Sequence, residues 1–167
     1  NRGANGAFLE PMVGTSSEIG LKSRNFNGAL NTSLTFFNTR ESNVAEAVPG
    51  EYLADGITQV YQGLNGTRSR GFEFETSGSI TDNWNATFGI SHYNIKAPGY
   101  GDVHPSLPRA TIRSFTTYTL PGAWHGLSVG GGLNWQNAVN IPVADINGDS
   151  RNIHQSSVML LSLMARY

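Results

Sequence analysis

The side chains here best suited to chemistry are four histidines, a run of aspartates and asparagines, and carboxylates and cations set at every second position. The histidines, His92, His104, His125 and His154, are scattered with none of the short spacings that zinc sites use. There is no cysteine, so thiolate ligands, disulfides and thiol catalysis do not arise within these residues. Asp145, Asn147 and Asp149 match the first, third and fifth positions of a calcium loop, but Ser150 stands where glycine is required and Ser156 where the bidentate glutamate belongs. That stretch reads as an Asx-rich turn. A Ser-His-acid hydrolase needs its three side chains to converge, and the histidines avoid the phases that would allow it. Gly130 to Gly132 precedes no helix pattern and is no phosphate loop. No catalytic centre and no metal site is expected, which leaves the alternating charged residues to carry function.

Those residues lie on a hairpin, Arg68 to Asn94. Phe72, Phe74 and Ile80 alternate with Glu73, Glu75, Ser77 and Ser79; after the turn at Thr81, Asp82 and Asn83, Trp84, Ala86, Phe88 and Ile90 alternate with Asn85, Thr87, Gly89 and Ser91. Period 2 of this kind marks strands with one oily and one wet face. The pattern recurs over 17–24, 29–39, 110–120, 126–136 and 156–167, which gives seven strands, with 57–61 extending the third. Between them, 1–16, 40–66, 95–108 and 137–154 read as irregular loops rich in glycine, proline and asparagine.

Two regularities point the oily stripes at lipid. Connections alternate short and long, so all tight turns fall at one end of the strands, as in outer-membrane barrels. Phe26, Trp84, Trp124 and Tyr167 gather near the short-turn end, like the aromatic girdle at a membrane interface. Trp135 shares the phase of Leu133 and is assigned to the lipid side. Composition agrees: 14% charged residues is low, 20 glycines suit twisted strands and turns, and 11 cations against 12 anions give no reason to expect nucleic acid. No run of 18 apolar residues and no signal-peptide pattern is present. The competing fold is a soluble sandwich or small barrel with the oily face inward. On the wet face, Glu18, Lys22, Arg24, Glu73 and Glu75 require water or polar partners. Seven strands cannot close so wide a lumen, and open strand edges are not tolerated in lipid, so the chain is expected to be part of a larger barrel.

Leu9 to Pro11 with Ser17 to Lys22, Arg70 to Glu75 with Ile80 to Trp84, Thr117 to Gly122, Gly130 to Gln136, and Leu163 to Tyr167 together resemble TonB-dependent ferric-siderophore receptors of the hydroxamate- or pyoverdine-type branch. The resemblance implies an all-β, antiparallel transmembrane segment, residues 1–167 being a late portion of a 22-stranded plugged barrel without its plug, TonB box or final strands. It implies an outer-membrane transporter, not an enzyme. Such a protein would bind a ferric siderophore at the cell surface and import it with energy from the TonB-ExbB-ExbD complex, with no intrinsic cofactor. A passive porin is the alternative. In this reading Glu18, Lys22, Arg24, Glu73 and Glu75 face the plug. Tyr93 is the leading ligand contact, with Tyr100, His104, Arg109, Tyr52 and Tyr61 as further candidates.

Overall fold

The computed structural model describes residues 1–99, 101–144 and 150–167. Seven strands form one antiparallel meander in which each pairs with the next across the sheet: β1 (Val13–Asn25), β2 (Leu30–Ser42), β5 (Thr67–Thr81), β6 (Trp84–Ala97), β8 (Ala110–Thr119), β9 (Ser128–Gln136) and β12 (Val158–Arg166). The connections β1–β2, β5–β6 and β8–β9 are short and share one rim. The third of these carries a 3₁₀ turn, Gly122–Trp124.

Cross-strand register shows why the alternation matters. Leu21, Leu34, Phe74, Ile90, Ile112, Trp135 and Met159 are mutual partners across all seven strands, one continuous apolar rung. One residue along, Lys22, Ser33, Glu75, Gly89, Arg113, Asn134 and Leu160 form the next rung on the opposite face. Directly paired residues point to the same side of a sheet, so one face is oily and the other largely polar. Phe72, Phe88, Leu133 and Leu161 all lie on the oily face. Nothing covers it: Leu21 is 75% exposed and Leu163 91%. A soluble sandwich would bury these side chains in a second layer, and no such layer exists among the described residues.

At the short-turn rim Trp84, Tyr118, Val129 and Ala165 pair across four strands, with Phe26, Trp124 and Tyr167 exposed nearby. The Trp84 indole Nε1 donates to Thr116 Oγ1 at 2.7 Å, so its polar edge is satisfied while its ring lies along the apolar face.

The long connections differ from the irregular loops expected. Residues 44–64 form a ribbon, β3 (Val44–Tyr52) against β4 (Gln59–Leu64), and β10 (Val139–Ala144) pairs with β11 (Ser150–Gln155) in another. A two-residue strand, β7 (Gly101–Asp102), pairs with the end of β6 despite the nearby prolines. The first ribbon continues the β2–β5 ladder across a kink. Asn43 (φ 59°) and Gly66 (φ 76°) take left-handed conformations, and the Asn43 N–H donates to Asn65 Oδ1 at 3.1 Å. Asparagine and glycine read as loop in sequence, yet here they bend a ladder without ending it. Similarly, β1 begins at Val13, inside the stretch expected to be irregular. The calcium-like run from Asp145 to Asp149 lies outside the described residues.

At the tip of the first ribbon the Asp55 carboxylate accepts hydrogen bonds from the Thr58 hydroxyl, the Thr58 N–H and the Ile57 N–H. These, the hydroxyl first, lower its pKa from 3.8 to about 2. A depressed carboxylate stabilises the fold above the unfolded pKa, and that contribution disappears as pH falls through the folded one. The Thr58 amide resonance should therefore titrate with a midpoint near pH 2. A midpoint near 3.8 would show that the turn is not held this way.

Candidate functional site: the polar face and the loop-end cluster

Glu18, Lys22, Arg24, Glu73 and Glu75 all share the polar face, as their register requires. Lys22, Arg24, Asn31, Glu75 and Ser77 line an open groove of about 540 Å³. A smaller one of about 150 Å³ is bordered by Glu73, Glu75 and Arg113. Along the main polar rung the charges alternate, Lys22 then Glu75 then Arg113, separated by Ser33 and Gly89. None of these groups forms an ion pair among the described residues. Their charge is therefore available to whatever occupies the face. Sequence reasoning missed Arg113, although its alternation with Ile112 placed it there. The face is not uniformly polar: Phe37, Phe115 and Leu160 also lie on it.

Toward the long-loop rim, Tyr93 pairs with Gly71, which pairs in turn with Phe37. A Cβ at Gly71 would stand 2.6 Å from Tyr93 Cβ and 2.8 Å from Phe37 Cζ, so only glycine lets both rings close over this point. The Arg109 guanidinium lies 5.5 Å from the Tyr93 ring centroid, a cation–π arrangement, and the Tyr93 N–H donates to the Arg109 carbonyl at 2.9 Å. Arg109 also donates to the carbonyl oxygens of Val103 and His104. His104 Nδ1 is 3.7 Å from Glu46 Oε2 on β3, and the Asn140 N–H on β10 donates to the Pro105 carbonyl at 3.0 Å. Asn137 Oδ1 accepts from the N–H groups of both Arg109 and Ala110 at 2.7 Å. Beneath them Val44, Leu64, Ala97 and Val103 form a buried apolar cluster with Ile95 packed against it.

The three long connections thus form one connected platform, with Tyr93, His104 and Arg109 brought together at its base. Tyr61 is on the far side of the β3–β4 ribbon from Glu46, because Glu46 pairs with its chain neighbour Gln62. Tyr52 stands near the exposed tip, opposite Gln59. Neither joins the cluster. Tyr100 lies outside the described residues. Trp135 is on the oily face, as its phase required. His92 is there too, 6.1 Å from the Phe72 ring, and no group of three metal-ligating side chains occurs among the described residues.

A strand meander with one lipid-like face, one polar face and all long loops at one rim is a barrel wall, and the model of the family described as "TonB dependent receptor-like, beta-barrel" matches residues 1–167. The chain belongs to the TonB-dependent receptor β-barrel family. Among curated relatives, it is 32% identical to the ferric-pyoverdine 358 receptor of Pseudomonas putida over 97% of its own length and 19% of that protein's. It is 33% identical to the ferripyoverdine receptor of Pseudomonas aeruginosa over 99% of its length and 21% of that protein's. The structure of the P. aeruginosa pyoverdine outer membrane receptor FpvA bound to pyoverdine superposes with a TM-score of 0.84 at 32% identity, covering 99% of this chain and 25% of that one. The chain spans about a fifth of the length of the curated relatives it matches.

Proposed function

We propose that this chain is one section of the wall of an outer-membrane receptor that binds a ferric siderophore of the pyoverdine class and imports it with energy from TonB. The observation that carries the reading is the in-register pair of rungs, oily on one face and charged on the other, in a sheet that superposes on a pyoverdine receptor. In a closed barrel the oily face meets outer-membrane lipid. The unpaired charges of Glu18, Lys22, Arg24, Glu73, Glu75 and Arg113 then face a plug supplied by the rest of the protein. The outer edges of β1 and β12 have no partner among the described residues, and backbone groups left open there would be untenable in hydrocarbon. Further strands must therefore close the wall. TonB, with ExbB and ExbD, would act through the plug.

The loop-end platform is the wall's share of the ligand site. Tyr93 offers a ring already held by Arg109, and a preorganised aromatic loses little entropy on contact. In the intact receptor, Tyr93→Ala should weaken ferric-siderophore binding about 10- to 30-fold, the range of a buried aromatic anchor, while Tyr93→Phe retains most of it. Fluorescence quenching titration measures both, and unchanged affinity in the alanine variant would remove Tyr93 from the site. The function as a whole is tested by growth of an iron-starved deletion strain on a panel of ferric siderophores. If no chelate depends on the gene, the transport reading fails. Salt-dependent conductance without saturable binding would replace it with a passive pore.

A further inference from the structure

On the oily face the apolar rungs stop abruptly toward the long-loop rim. Beyond Ile19, Phe36, Phe72 and His92 come Asn38, Arg70 and Asn94, and beyond those Arg40, Arg68 and Lys96, each the direct partner of the next across β2, β5 and β6. Successive rungs on one face are two residues, about 7 Å, apart, so the four cations begin one rung above the last phenylalanines. Like charges placed directly opposite in a sheet repel. Here Arg68 has a cation on each side. None of the four takes part in an ion pair among the described residues. The acid in register with them is Asp102, opposite Lys96, which leaves three net positive charges from four cations and one anion. Asn38 Oδ1 accepts from Arg68 Nε at 2.5 Å and from Arg70 Nε at 3.1 Å, so one amide orients both guanidinium groups while their outer N–H donors stay free of it.

We propose that Arg40, Arg68, Arg70 and Lys96 form a binding site for the phosphate headgroup of an anionic lipid packed against the outside of the barrel. Two oriented guanidinium forks match phosphate oxygens bidentately, and Arg40 and Lys96 flank them as further cations. Only a lipid presents such a headgroup with its chains lying down the apolar rungs immediately below. A soluble anion would gain nothing from that adjacency. Juxtamembrane cation clusters attract anionic headgroups in this way. The inference rests on the reading that the oily face meets lipid.

The test uses the full-length receptor in bilayer discs of phosphatidylcholine doped with phosphatidic acid, with retained lipid counted by native mass spectrometry. Wild type should keep phosphatidic acid, and the variant carrying Arg40→Gln, Arg68→Gln, Arg70→Gln and Lys96→Gln should keep at least tenfold less, with phosphatidylcholine equal in both. Equal retention of phosphatidic acid overturns the site. Displacement of the lipid by millimolar inorganic phosphate would also overturn it, because it would reveal a soluble-anion site. Should the fourfold variant fail to fold, the single variants Arg70→Gln and Lys96→Gln, both at exposed positions, must each show partial loss, and full retention in both has the same meaning as equal retention. Quenching by brominated acyl chains, taken as the difference between wild type and Trp135→Phe, reads lipid exposure of the oily face separately. Quenching without charge dependence defeats this site alone, whereas its absence defeats the wall reading and the site with it.

Discussion

Ile90→Arg should lower the unfolding free energy of the intact receptor in lipid vesicles by about 2–4 kcal/mol, whereas Val129→Arg should cost only about 0–1 kcal/mol. Ile90 is the centre of the seven-strand apolar rung, flanked directly by Phe74 and Ile112. A guanidinium there must either thin the bilayer or drag water toward the hydrocarbon midplane. Val129 is on the same face but in the rung of Trp84 and Tyr118, at the aromatic rim, where an arginine reaches headgroups. A protein interior would penalise both sites alike, and a fully solvated face would penalise neither. Equilibrium unfolding in urea thus separates lipid from core, and equal costs at the two positions would end the membrane assignment.

Gly71→Leu should destabilise by about 1–3 kcal/mol or more, with Gly89→Ala neutral or stabilising by up to about 1 kcal/mol. Both glycines lie in central strands, and sequence alone treats them alike. A Cβ on Gly71 meets the His92 carbonyl oxygen as well as Tyr93 Cβ at 2.6 Å and Phe37 Cζ at 2.8 Å. The backbone carbonyl cannot swing aside, and moving the rings would undo the Tyr93–Arg109 contact. A Cβ on Gly89 finds its nearest neighbour, the Phe74 carbonyl oxygen, 3.9 Å away, an ordinary contact, and alanine there restricts the unfolded chain. The same measurement with ferric siderophore added carries a second expectation. Gly71→Leu should lose ligand-dependent stabilisation, because the Tyr93 ring proposed to receive the ligand is displaced. Retained stabilisation in that variant would separate Gly71 from the site.

The loop-end platform gives a defined structure to loop sequences that look irregular. Asn137 holds two consecutive N–H groups where β8 begins, and Arg109 ties Val103 and His104 to Tyr93. Tyr93 is therefore coupled by hydrogen bonds to the β6–β8 connection and, through Pro105 and Asn140, to the β10–β11 ribbon.

The number of wall strands, their order and the face each of their residues takes were legible in the sequence, because period 2 is a local property and a one-residue slip would put Lys22 or Glu75 into lipid. The alternation of short and long connections then placed all tight turns at one rim. Local pattern could not reveal that 44–52 pairs with 59–64 and 139–144 with 150–155. Asparagine and glycine at positions 43, 65 and 66 signal a break, and only a ladder resuming beyond them shows a bend instead. Nor could it show that Arg109 reaches Tyr93 and holds the His104 carbonyl while Tyr52 and Tyr61 stand apart, or that Arg40, Arg68 and Lys96, far apart in the chain, stand side by side. Those facts depend on cross-strand register, a long-range property set by which backbone groups pair, and it is register that turns alternating residues into rungs, patches and a site.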